Sequence, residues 1–326
     1  MNHTKNLIGI TLVVILSLLA VFNPYTDKYM LGLKNNAMNV NNKPNELLNK
    51  IEQAAEKYNI PPEDAKIDRV WYAMPGYNGL QVDVEASYKM MKKDQQYDER
   101  KLVFIQIPPA VHLRELPPAP IFRGHQEKPM VSFLINVAWG NEYIPDMLAT
   151  LKKHSVQATF FLEGRWVKNN PDLAKMIAEH GHEIGNHSYS HPKMEQLGEA
   201  QVREELIKTN EVIEAVTGKK VEWFGPPSGG YNNKTVEIAH SLQMRTIMWT
   251  VDTIDWQKPA PHVLIQRVMS KIHSGAMILM HPTEPTSKAL DELIVSLKAK
   301  QLRIGSVSKL LDEERVMKRQ DEPHSY

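Results

Sequence analysis

From residue 130 onward the chain alternates short apolar runs with amphipathic stretches. Strand-like runs begin near 130, 157, 183, 222, 245, 276 and 302. Apolar residues at helical spacing lie between or after most of them, over 142–153, 171–180, 199–217, 233–242, 261–272 and 287–300. Pro171 opens one of these segments and Gly218 follows another, the places where helices start and stop. Repeated strand–helix alternation predicts parallel strands covered by helices. Such folds carry their chemistry at the carboxyl ends of the strands.

Before residue 130 the pattern differs. Leu47, Leu48, Ile51, Ala54, Ala55 and Tyr58 recur at helical spacing. KIDRVWYAM reads as a strand, PGYNG as a turn, and Leu80, Val82 and Val84 alternate like a second strand. ASYKMMKK suggests a short helix and LVFIQI another strand. Residues 44–108 therefore predict a small α+β domain without identifiable chemistry, a packing or interaction unit. PPAVHLRELPPAPIFRG is Pro-rich, so 109–127 reads as a semi-rigid linker. A barrel-like α/β domain is expected over 128–311 and a charged tail over 312–326.

Residues 7–22, LIGITLVVILSLLAVF, are continuously apolar and follow Lys5. Sixteen residues fall between a signal-peptide core and a full span of about 20. The positive side is N-terminal, so the chain beyond it is expected outside the cytoplasm. Residues 1–43 then form a signal peptide or an uncleaved anchor plus an Asn-rich tether. Any membrane contact is expected only through 7–22.

Composition narrows the choices. The chain has no cysteine, which excludes disulfides, thiolate metal sites and a thiol nucleophile. Its net charge is +1, so nothing points to a nucleic-acid partner. The totals do not address oligomeric state.

The strand ends hold the candidate chemistry. GHEIGNHSYSHP places His187 and His191 four apart, a spacing that puts both imidazoles on one side of a helical turn and suits a metal. His180 and His182 read as surface or core histidines. WFGPPSGGYN is rigid and open enough to present a backbone N–H to an oxyanion, or is simply a turn. WTVDTIDW brings Asp252, Asp255 and Trp256 to a strand end, and ILMH closes another with His281. A buried histidine needs a polar partner. Asp255 is the obvious one, as an orienting acid or as half of a structural pair.

Taken in order, INVAWGNEY, HSYSH, FGPPSGGYN, DTIDW and LMH, with ATFFLEGRWVKNNPDL and AEHGHEIGNHSYSH, resemble the polysaccharide deacetylase family, the NodB homology domain of carbohydrate esterases. The resemblance covers about residues 128–311. It implies a distorted seven-stranded (β/α) barrel that removes acetyl groups from chitin-like polymers, peptidoglycan or xylan. It implies one divalent metal, most often zinc, held by two His and an Asp, a second Asp as base, and an Asp-tuned His as acid. By residue, His187 and His191 match the metal histidines, Asp255 the tuning acid and His281 the general acid. Ser228 stands where a backbone N–H faces the oxyanion. Trp139, Tyr231 and Trp256 are candidates for stacking on sugar rings, or for packing.

The departures are concentrated in one place. Asn136 stands at the base and Val137 at the metal carboxylate, and Gly225 replaces the Arg that pairs with the base. Asn cannot take up a proton, and a positioned base contributes ~10²–10⁴ in rate. Catalytic zinc uses three protein ligands, and two remain, so any metal should be weak or absent. Glu142 or Glu183 are the replacement carboxylates available in sequence. Two functions stay open: metal-assisted deacetylation of acetylated cell-envelope glycan, or a disarmed pseudoenzyme that binds such glycan or a partner protein. Domains of this kind occur in spore-forming bacteria, which suggests a link to sporulation.

Overall fold

The computed structural model describes residues 46–317, together with the isolated Lys28. The apolar run 7–22 and residues 318–326 lie outside the described residues. The chain divides into two compact units: one contains residues 46–57 and 82–103, the other 58–81 and 104–317.

In the first unit, helix α1 (Glu46–Tyr58) buries Leu47, Ile51 and Ala54 along one stripe. Helix α2 (Val84–Met91) begins at Asp83, whose carboxylate accepts the Ala86 N–H at 2.9 Å. The second unit opens with short strands: β1 (Lys66–Asp68) and β2 (Tyr72–Met74) pair antiparallel, and β3 (Gly79–Val82) pairs with β4 (Phe104–Ile107).

The α/β part follows. Its strands are β5 (Met130–Val137), β6 (Thr159–Leu162), β7 (Glu183–Asn186), β8 (Trp223–Phe224), β9 (Arg245–Thr246), β10 (Val251–Asp252), β11 (Met277–Met280) and β12 (Arg303–Gly305). Seven run in the order β10-β11-β5-β6-β7-β8-β9 with every pair parallel, and β12 pairs with the start of β5. All eight residues of β5 are buried. A strand covered on both faces is a continuous apolar run rather than an alternating one, and MVSFLINV reads that way. The sheet curls into the expected distorted seven-stranded barrel.

Helices cover it: α3 (Ile144–Lys153), α4 (Gly164–Asn169), α5 (Pro171–Glu179), α6 (Glu199–Thr217), α7 (Asn233–Ser241), α8 (Pro261–Lys271), α9 (Glu284–Ala299) and α10 (Val307–Leu311). One apolar cluster joins the outer face of the sheet to α3, α5, α8 and α9 through Phe133, Ile135, Leu151, Ile177, Val268 and Leu293. The pattern of apolar positions did not indicate β10, α4 or α10, which are two to six residues long and too short for periodicity to register.

The Pro-rich stretch is not a free linker. Leu113, Leu116, Ala119 and Ile121 are buried in one cluster with Leu134, Phe161, Ile247 and Met277. Ile121 pairs in parallel with Ile247, and Arg123 pairs antiparallel with Ala276. The Ile121 N–H donates to the Thr246 carbonyl (2.9 Å) and its carbonyl accepts the Met248 N–H (2.8 Å). This strap runs along the seam where β9 and β10 do not pair with each other. Proline lacks a donor and suits a sheet edge as well as a linker, so composition alone cannot separate the two. Residues 58–81 also belong with the barrel. The Asn78 N–H donates to the Glu313 carbonyl (2.8 Å), and the Arg315 guanidinium lies 4.2 Å over the Tyr77 ring. The start of the supposed tail is therefore packed.

Candidate functional site

The site is built on loops that leave the carboxyl ends of the strands. His187 follows β7 directly and is 2 % exposed. Its Nδ1–H donates to the Gly225 carbonyl at 2.7 Å. A carbonyl only accepts, so the tautomer is fixed and the Nε2 lone pair is left free. Burial, with the nearby His191 charge second and His281 contributing, pushes the His187 pKa down to about 3. The ring is neutral at physiological pH.

His191 is not on a helical turn with His187, as the spacing suggested. Both lie on an irregular loop, where Ser188 (φ 61°) and His191 (φ 56°) are left-handed. Such conformations persist in non-glycine residues only when the surroundings hold them. Here the Glu205 carboxylate on α6 accepts the Tyr189 N–H (2.8 Å), the Ser190 N–H (2.8 Å) and the Ser190 hydroxyl (2.7 Å). Asn186 Oδ1 accepts the Ser188 N–H (2.8 Å), and Ser188 Oγ accepts the His191 N–H (3.1 Å). The imidazole centroids end 5.0 Å apart at 70°. The loop achieves what the helix was expected to do.

Asp255 and His281 come together. Asp255 is 0 % exposed. Its Oδ1 accepts His281 Nδ1–H (2.8 Å), and its Oδ2 accepts the His281 backbone N–H (2.6 Å) and the Thr286 hydroxyl (2.6 Å). The carboxylate is thus held by α9 as well as by the histidine, and His281 Nε2 is free to act. Neither threonine of this network, Thr283 or Thr286, stood out in the sequence, since hydroxyls in PTEPT carry no spacing signal.

The loop Pro226–Gly230 holds Ser228 at φ 55°, with the Gly229 and Gly230 N–H groups bonded to the carbonyls of Pro226 and Pro227. Trp139 is 47 % exposed and Trp256 56 % exposed, so both are rim residues and not core. Tyr231 is partly buried. Trp139 stacks on the His281 imidazole, 5.9 Å between centroids and 7° from parallel. Gly140 makes that fit: its φ is +84°, and a Cβ there would lie 1.9 Å from the Pro282 carbonyl oxygen. Tyr72, from the segment before the barrel, is half-exposed with φ 55° and stacks on Phe122 at 5.8 Å.

On the opposite side, the positions expected for the base and the metal carboxylate carry no carboxylate. Asn136 is 7 % exposed and Val137 0 %. At Gly225 a Cβ would meet the buried Phe161 ring at 2.9 Å, so the aromatic ring fills the space where a longer side chain would begin. Neither replacement carboxylate serves. Glu183 sits at the start of β7, away from the strand ends, and is committed to Thr159, Trp223 and Ser308. Glu142 is exposed on the turn after Gly140. Among the described residues no group of three His, Cys, Asp or Glu side chains converges to hold a metal. Two imidazoles do not fit a catalytic zinc, which takes three protein ligands. A cleft of about 1000 Å³ lies away from this chemistry, near the strand starts at Trp223 and Arg245.

A curled parallel barrel with a His–His pair, an Asp–His pair and a Pro-Pro loop at its strand ends defines a deacetylase-like carbohydrate-esterase scaffold. The chain belongs to the polysaccharide deacetylase family, whose model matches residues 123–247. It is 53 % identical over 296 residues to Bacillus subtilis YlxY, covering 91 % of this chain and 93 % of that protein. It is 31 % identical over 202 residues to a Bacillus cereus peptidoglycan-N-acetylglucosamine deacetylase, covering 60 % of this chain and 74 % of that one. Among solved structures it is similar to a Bacillus anthracis CE4 family pseudoenzyme, with 56 % identity, TM-score 0.79, and coverage of 83 % of this chain and 96 % of that one. A mutant of that pseudoenzyme, described as having restored enzymatic activity, matches with 55 % identity, TM-score 0.79 and coverage of 83 % and 99 %.

Proposed function

We propose that this chain is a disarmed deacetylase that holds acetylated cell-envelope glycan across the strand ends without cleaving it. One observation carries the reading: buried Val137 and Asn136 stand where a ligand and a base are required, and among the described residues no group of three His, Cys, Asp or Glu side chains converges to hold a metal. The fully buried Val137 side chain cannot ligate, and no rotamer change alters that. Any divalent metal is held by His187 and His191 alone, and so weakly. The similarity to a pseudoenzyme whose mutant regained activity supports the same view of the scaffold. The intact Asp255–His281 pair favours the second reading, a working deacetylase with an unusual base. The apolar run 7–22 supports a place outside the cytoplasm, secreted or anchored.

The test is acetate release from acetylated chitooligosaccharides and peptidoglycan with excess zinc or cobalt. The wild-type chain should release none, and Asn136→Asp with Val137→Asp, alone or with Gly225→Arg, should release some. Metal-dependent release by wild type that His187→Ala abolishes would overturn the pseudoenzyme reading.

A further inference from the structure

We propose that the cleft beside the histidine site is a second saccharide subsite, which takes an uncharged amino-sugar ring of the same glycan chain. The proposal rests on the glycan-binding reading above and extends it. The cleft is about 450 Å³, within the ~300–1,000 Å³ range of small-ligand sites. It lies between the loop after β5 and the α4–α5 junction, bounded by Trp139, Asn141, Glu142, Glu163, Arg165 and Asn170.

Its polar groups are fixed before any ligand arrives. Asn141 Oδ1 accepts the buried Trp166 indole N–H (2.6 Å), and Asn141 Nδ2 donates to Asn170 Oδ1 (2.7 Å). Asn170 Nδ2 in turn donates to the Trp166 carbonyl (2.9 Å). An amide side chain has two donor hydrogens and two acceptor lone pairs. Each asparagine spends one of each on this chain and keeps one of each. A sugar hydroxyl is both donor and acceptor, so the unspent pairs match it. Groups locked in place by one another lose little entropy on binding. Glu163, 8 % exposed, is pinned by the Trp166 N–H at 3.1 Å.

Trp139 makes the cleft continuous with the first site. It lines the cleft and also stacks on His281. The close approach of Gly140 to the Pro282 carbonyl leaves no room for a side chain there, and the indole stands between the cleft and His281. Charge selects the ring. Two carboxylates, Glu142 and Glu163, face one guanidinium, Arg165. The balance is acidic and disfavours a sugar that carries its own carboxylate.

The experiment titrates the full chain in detergent with chitobiose and chitotetraose, by calorimetry. Wild type should bind the tetramer about tenfold more tightly, as several net hydrogen bonds allow. Asn170→Ala, and Asn169→Trp at an exposed position that plugs the cleft, should bring the ratio to about one. Neither should change chitobiose affinity. Chitotetraose oxidised to carboxylates at C6 should lose the gain. Trp256→Ala should weaken both sugars alike. A ratio unchanged in both cleft variants would overturn the subsite and leave the glycan reading standing. Binding of neither sugar by wild type would overturn both.

Discussion

The two sides of the strand-end site are built to opposite specifications. On the β10–β11 side, buried Asp255 accepts from His281 twice and from Thr286. Every charge there has partners. On the β5–β8 side, Asn136, Val137 and Gly225 are all uncharged, and Phe161 fills the space above Gly225. Each side is self-consistent. Removing only the base would have left a buried Arg unpaired, costing roughly 3–5 kcal/mol. Removing both sides of that charge pair avoids this cost. A charged network and an emptied one can therefore coexist in one barrel, because charge balance is settled locally on each side.

The comparison breaks first at Asp255. Asp255→Ala orphans three donors around a buried carboxylate and should lower unfolding free energy by about 3–5 kcal/mol in urea titration. A loss under 1 kcal/mol would mean that the network is not holding the structure. Next is Glu205→Ala, which frees the left-handed His187–His191 loop. It should cost about 1–3 kcal/mol, and exchange of the Tyr189 and Ser190 amides should accelerate more than that of β5.

Acid sharpens the contrast further. The folded His187 has a pKa of about 3, against ~6.5 when unfolded. Below pH 6.5 the unfolded chain binds a proton that the folded one refuses. Stability is thus full above about pH 6.5 and falls as pH drops toward 3. Buried His182, lowered to about 4 by burial, acts in the same sense. His187→Gln should flatten the decline between pH 6.5 and 4, read from urea midpoints. The smallest effect belongs to the emptied side: Asn136→Ala should cost only about 1 kcal/mol.

The sequence exposed the barrel because β5, β6 and β11 are buried, mainly apolar runs between helices with clear starts and stops. It exposed the site because the chemistry sits in short motifs at strand ends. The His187–His191 proximity was legible from spacing, but its cause was not, since a left-handed loop pinned by Glu205 has no local signature. Glu183 looked available only because a one-dimensional reading cannot tell the start of a strand from its end. Ile121 was hidden for a related reason. Its partner Ile247, like Arg123's partner Ala276, is remote in the chain, and prolines precede it. The amide chain through Asn141, Trp166 and Asn170 likewise joins residues from separate elements.

The strap has a consequence for how the molecule assembles. Residues 119–123 leave the ribosome early, yet the positions they pair with, 247 and 276, are made late. Loop closure over so much chain is slow. Until it happens, the β9 side of the sheet keeps an unpaired backbone edge, a template for association with other chains. Closing the seam removes that edge. A proline-for-isoleucine change at 121 would remove its donor to Thr246 and prolong the interval in which newly made chains aggregate.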